Sequence, residues 1–216
     1  MKDAADAILR AEQAAYLEGI EPARDPLLAE MEAYARDKGQ PISDPEVASF
    51  LAITARTSRP RLIVEVGTNI GYGAIVLARA AGPDARVITI ENDDATAAVA
   101  RGFIERAGLS ARIQVQKEDA LAALAVLTGE IDLVYIDCVK EHYPAYLDLV
   151  LPKLSARGVI IADNVLWKGL VAAQEVPPHE VDLPGQHRQR GERIFLLHLD
   201  ARGEAGPLDE AARHRR

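Results

Sequence analysis

The sequence predicts an α/β chain built on a doubly wound, mostly parallel sheet, and three observations carry that prediction. Five short apolar runs recur along the chain, at 62–66, 87–90, 113–116, 132–136 and 159–162. They alternate with helical patterns rather than with hairpin turns, which implies parallel strands with helices on both faces. The chain has 216 residues and is 49% apolar, enough for one domain with a sizeable buried core.

The elements follow in order. Ala4, Ile8, Ala11 and Ala15 recur at helical spacing, and Leu27, Leu28, Met31, Tyr34 and Ala35 do so again. Pro22 and Pro26 break the two segments. Lys38-Gly39-Gln40-Pro41 stops the helix and turns the chain, and Ser43 or Asp44 caps the next helix, through about Ser58. Leu62-Ile63-Val64-Glu65-Val66 is the first strand, followed by a glycine-rich turn and a helix over about 74–81. The strand at 87–90 ends in Glu91, and a helix runs on to about Ala107. The strand at 113–116 precedes a helix near 121–127, and the strands at 132–136 and 159–162 follow. Ile194-Phe195-Leu196-Leu197-His198-Leu199 suits a strand or a helical turn. Residues 1–60 are expected as helices packed on a core of 61–199, with 200–216 a flexible tail, because the tail is Ala, Arg, Gly and acid with little apolar content. An altered reading frame would also explain that tail.

No apolar run approaches the roughly 20 residues of a membrane span, and residues 1–10 lack a signal peptide's apolar centre. The single cysteine, Cys138, cannot close an internal disulfide, which fits a reducing, cytoplasmic setting. A net charge of −8 gives no broad basic surface for nucleic acid; His187, Arg188, Arg190 and Arg193 form one local basic cluster.

In doubly wound sheets, ligands sit beyond the carboxyl ends of the strands. Glu65-Val66-Gly67-Thr68-Asn69-Ile70-Gly71-Tyr72-Gly73 forms one such end. A dinucleotide fingerprint needs glycine at 67, 69 and 72, but Asn69 and Tyr72 stand there, so a nicotinamide site is disfavoured. The acid ahead of the loop suits a cationic ligand group better than a pyrophosphate. Glu91 lies 24 positions after Gly67, a spacing at which an acid accepts from ribose hydroxyls. Asp119-Ala120 follows the third strand and suits either an adenine amino group or a helix cap.

Asp137 ends the fourth strand, and Asp163 with Asn164 ends the fifth. Two carboxylates and an amide oxygen on neighbouring strand ends make a hard oxygen site, suited to Mg²⁺, Mn²⁺ or Ca²⁺. Any one of these alone reads as a turn residue. Lys140 sits three residues after Asp137 and is the candidate general base; His142 is its rival.

These residues together resemble the catechol and caffeoyl-CoA O-methyltransferase superfamily, in its bacterial cation-dependent branch. The similarity runs from about Lys38 to Val171. It is strongest at 64–72, at 132–137 and in Gly158-Val159-Ile160-Ile161-Ala162-Asp163-Asn164-Val165-Leu166-Trp167-Lys168-Gly169. The resemblance implies a Rossmann-like methyltransferase fold with a seven-stranded sheet, S-adenosylmethionine, a divalent cation and a homodimer. It implies that Glu65, Gly67 and Thr68 line the donor's methionine end, with Ser43 also touching the donor. Glu91 would bind ribose, Asp119 and Ala120 would flank adenine, and Trp167 would wall the acceptor pocket. Asp137, Asp163 and Asn164 match the metal ligands, and Lys140 the base.

The chain departs from that pattern in three places. Gly73 stands at a donor-contacting position where the family often has serine, and Cys138-Val139 replaces a commoner Ala-Asp pair whose acid serves the donor side. Asp137 is expected to contact the donor as well as the metal. The C-terminal end lacks the usual last strand and its Gly-Asp-Gly-like turn.

The leading expectation is methylation of a catechol-like hydroxylated aromatic, because one of two vicinal oxygens is the group a metal would chelate and activate. A rival is methylation of a hydroxylated uridine in tRNA, which the basic cluster favours and the net acidity disfavours. A non-catalytic S-adenosylmethionine-binding module is the alternative of another class, against which the intact trio and Lys140 argue.

Overall fold

A computed structural model describes Tyr16, residues 25–165 and the backbone of 193–197. The helix expected over residues 4–15, Trp167, the side chains of the 187–193 basic cluster and the 200–216 tail lie outside the described residues.

Asp25 opens helix α1 (Pro26–Lys38) by accepting from the amides of Leu27 and Leu28 at 2.9 and 3.2 Å. Such a cap satisfies donors the helix cannot pair internally. Gly39, at φ 63°, closes it in the left-handed conformation that glycine adopts without strain. The next helix, α2, is Pro45–Ser58, and Asp44 occupies its N-cap position. Neither side chain expected to cap it does so: that of Asp44 makes no capping bond, and Ser43 turns instead toward the sheet.

The core then alternates as expected: β1 (Leu62–Val66), α3 (Tyr72–Ala81), β2 (Arg86–Glu91), α4 (Asp94–Arg106), β3 (Ile113–Lys117), α5 (Ala120–Val126) and β4 (Ile131–Ile136). After β4 come a 3₁₀ turn (Lys140–His142), helix α6 (Tyr143–Val150) and strand β5 (Leu154–Asp163). Strand β6 is Arg193–Leu197, which resolves the strand-or-turn alternative for this segment. Two elements depart from the sequence reading. Helix α6 had no counterpart in it, and β5 begins five residues earlier than the apolar run at 159–162. The added length of β5 is its polar, more exposed start, which pairs with β4 across a register shift between Ile131 and Leu133.

The sheet has six strands in the order β3-β2-β1-β4-β5-β6, every pair parallel. The order reverses between β1 and β4, so their carboxyl ends open a crevice at the switch point. Alternate residues feed two cores. Ile63, Leu133, Tyr135 and Ile161 pack with α1–α4, whereas Val64, Val134, Ile136 and Ile160 pack with α5 and α6. Burial on both faces is why these strands read as continuous apolar runs. At the opposite end of the sheet, Asp132 accepts from the Arg61 and Leu62 amides and from Ser155, tying β1, β4 and β5 together.

Candidate active site

The turn after β1 is made by backbone conformation and close approach. Gly67, Asn69 and Gly71 have φ of 102°, 46° and 87°, in the left-handed region glycine favours and asparagine tolerates. A side-chain carbon on Gly67 would lie 2.2 Å from the carbonyl oxygen of Asp137, so only glycine lets the β1 turn close on the end of β4. The Asp137 amide in turn donates to Val66 O at 3.0 Å. Gly67, Asp137 and Asp163 thereby stand side by side, one step beyond the register pairs Val66–Ile136 and Ile136–Ala162.

A cavity of about 570 Å³ opens over these ends. Of the residues expected at the site, Ser43, Glu65, Gly67, Thr68, Gly73, Glu91, Asp137, Lys140, Asp163 and Asn164 all line it. Asp119 and Ala120 do not. The Asp119 carboxylate caps α5 by accepting from Ala122 N at 3.0 Å, and Ala120 packs in the core. His142 is also absent from the lining; it borders the Tyr146 hydroxyl at 3.5 Å.

On one side of the cavity lies a chain of hydroxyls. Thr89 donates to Glu65 at 2.5 Å, so the Thr68 hydroxyl, 2.6 Å from Thr89, must be the one that donates to Thr89. Glu65 is fully buried, and its other oxygen lies where a side chain on residue 73 would begin, 2.2 Å from that point. Gly73 is thus the space Glu65 occupies. Glu91 accepts from the amides of Asn69, Asn92 and Asp93 at 2.9–3.1 Å, which fixes its carboxylate at the cavity edge. The Asn69 side chain ties the turn to Pro41 O at 2.5 Å, while its own buried oxygen has no hydrogen-bond partner among the described residues.

On the other side, the carboxylates of Asp137 and Asp163 converge. The Tyr135 hydroxyl lies 3.4 Å from an Asp137 oxygen, 3.3 Å from an Asp163 oxygen and 2.8 Å from Ser43 Oγ. Lys140 Nζ donates to Asp137 at 2.8 Å and to the Tyr143 hydroxyl at 2.8 Å. The Tyr143 oxygen is also 3.2 and 3.0 Å from the carbonyls of Ile136 and Asp163, so it bridges the ends of β4 and β5. Asn164 follows at φ 54°.

The charges agree with that geometry. Burial, then the Asp137 carboxylate, pushes Asp163 up to about 6. Burial, opposed by the Thr89 hydrogen bond and reinforced by Asp137 and Glu91, pushes Glu65 up to about 8. Five acids, Asp44, Glu65, Glu91, Asp137 and Asp163, thus line a cleft in which Lys140 is the one basic side chain among the lining residues. Oxygen donors that repel one another are the arrangement a cation relieves, so the Asp137, Asp163 and Asn164 set fits a hard divalent ion.

Tyr135 and Tyr143 are the two groups the sequence reading passed over. Tyr135 is two residues before Asp137 and so shares its face of the strand; Tyr143 is three residues after Lys140, within one turn. Both signals are spacings, hidden because each tyrosine also reads as core.

The profile of the O-methyltransferase family matches residues 23–184. A catechol O-methyltransferase of Mycobacterium tuberculosis is 41% identical over 127 residues, covering 58% of this chain and 57% of that protein. A catechol O-methyltransferase of Niastella koreensis is 37% identical over 153 residues, covering 68% of this chain and 69% of that one. The chain therefore spans little more than half of the first relative. Among solved structures, an O-methyltransferase from Bacillus cereus in complex with SAH superposes with a TM-score of 0.71 at 30% identity. It covers 79% of this chain and 80% of that one.

Proposed function

Because the chain belongs to the O-methyltransferase family, we propose that it moves a methyl group from S-adenosylmethionine to one of two vicinal oxygens on a catechol-like acceptor, with a divalent metal. The observation that carries this reading is the convergence of Asp137 and Asp163 on one hydroxyl, with Lys140 2.8 Å from Asp137, beside the glycine turn. The catechol O-methyltransferase relatives and the SAH-bound neighbour support it.

The chain's own residues divide the work. Gly67 and Thr68 bring backbone to the donor, the acids Glu65 and Asp137 suit its cationic groups, and Glu91 accepts from its ribose. Adenine would extend past the described cavity toward the β3 end, where Asp119, which also caps α5, and Ala120 stand. Asp137, Asp163 and Asn164 would hold Mg²⁺, Mn²⁺ or Ca²⁺. A cation there supplies Lewis acidity, favouring the ionised form of one of two adjacent acceptor oxygens. Lys140 is the group placed to take that oxygen's proton, and Tyr143 holds its nitrogen in place. Transfer forms a carbon–oxygen bond and breaks the carbon–sulfur bond, whose electrons stay on sulfur. Since the donor is already activated, most of the acceleration is positional.

An assay of donor turnover with Mg²⁺ across catechols, monohydroxylated aromatics, caffeoyl esters and tRNA tests the acceptor class. Methylation of vicinal diols and not of monophenols is the expected result. Methylation confined to tRNA, with steep salt dependence, would replace the acceptor assignment.

A further inference from the structure

We propose that Tyr135 and Ser43 form a two-hydroxyl relay that makes occupancy of the metal site tighten the donor site. This rests on the assignment of those two sites given above. The Tyr135 hydroxyl touches both sides: it lies 2.8 Å from Ser43 Oγ on the donor side and 3.4 and 3.3 Å from Asp137 and Asp163 on the metal side. It carries a single proton for three acceptors.

The polarity of the pair follows from that count. With both carboxylates free, the phenol proton is drawn to them, since hydrogen bonds to ionised acceptors are the stronger. Ser43 must then donate into the phenol oxygen, which uses its only proton and leaves it able just to accept. When a cation takes the carboxylate lone pairs, the phenol proton turns to Ser43. The serine proton is released for an anionic acceptor in the cavity, and the donor's own carboxylate is that kind of group. The same metal thus changes what Ser43 can offer, and by linkage the donor changes metal affinity by an equal factor. A side-chain carbon at residue 73 would lie 2.2 Å from a Glu65 oxygen and in ordinary contact with the Tyr135 ring at 3.5 Å, so Glu65 fills that space, no hydroxyl comes from residue 73, and the 43–135 pair supplies hydroxyls on this side.

The test needs no turnover. Free Mn²⁺ is measured by electron paramagnetic resonance as the full chain is titrated, without and with saturating SAH, for wild type, Y135F, S43A and the double variant. Wild type is expected to bind Mn²⁺ about five-fold or more tightly with SAH present. Each single variant should reduce that ratio to below about two-fold, with no further loss in the double variant. Single variants that keep the wild-type ratio overturn the relay. S43A removes a loop hydroxyl and tests the pair independently should Y135F not fold, as followed by its thermal transition. If wild type binds neither Mn²⁺ nor SAH, the site assignment itself fails; if it binds both without linkage, only the relay fails.

Discussion

At the residue scale the site is a crowd of carboxylates, for which a cation is the proposed partner. Asp163→Ala removes one carboxylate and leaves the donor wall untouched. Metal-dependent turnover is expected to fall by more than about 100-fold, beyond what losing a partner outside the ligand shell costs, while calorimetry without added metal finds SAH binding little changed. Full metal-dependent activity in the variant would remove Asp163 from the site. Lys140→Ala should lower kcat by about 10²–10⁴ with a smaller change in KM, as loss of a general base does. Glu65 gives a pH signature. Its carboxyl is pushed up to about 8 in the folded chain, so that chain keeps a proton which the unfolded chain releases. The resulting stability is complete below the ordinary glutamate range and is lost as pH rises toward 8. Each pKa unit is worth about 1.4 kcal/mol. Denaturant unfolding of the ligand-free protein should therefore show Glu65→Gln gaining stability over wild type between pH 5 and 9. A gap that does not change with pH would contradict this.

At the scale of elements, most of the site was legible because strand ends are legible. Glu65-Val66-Gly67, Glu91, Asp137 and Asp163-Asn164 each close an apolar run, and parallel pairing brings four such ends together. Helix α6 was not, because Tyr143, Tyr146, Leu147 and Val150 follow the loop directly and no turn signal divides them from it. The polar start of β5 was missed because Ser155, Ala156 and Arg157 carry no apolar pattern: they lie in the irregularity between the pairs Leu154–Ile131 and Val159–Leu133, where Asp132 holds Ser155. Ser43 shows the limit of a capping signal. It stands where a cap belongs, yet its hydroxyl finds Tyr135, a partner 92 residues away that no local rule reveals. Asp119 is the reverse case, since the cap it promises is made. Asp119→Ala should cost about 1 kcal/mol, which a chain of this size shows as a 2–4 °C fall in Tm. No change in Tm would mean that α5 does not depend on its cap.

At the scale of the molecule, the parallel order β3-β2-β1-β4-β5-β6 is what makes one crevice hold both half-sites. The proposed donor residues hang from the ends of β1 and β2, the proposed metal ligands from β4 and β5, and the switch point joins them. Among the described residues no helix is long and apolar enough to cross a membrane. The central claim is that both half-sites act together, and metal dependence of methyl transfer tests it most directly. Turnover of S-adenosylmethionine with a catechol acceptor should require Mg²⁺, vanish with a chelator and return when Mg²⁺ is restored in excess. Equal methyl transfer in the presence of the chelator would contradict the account.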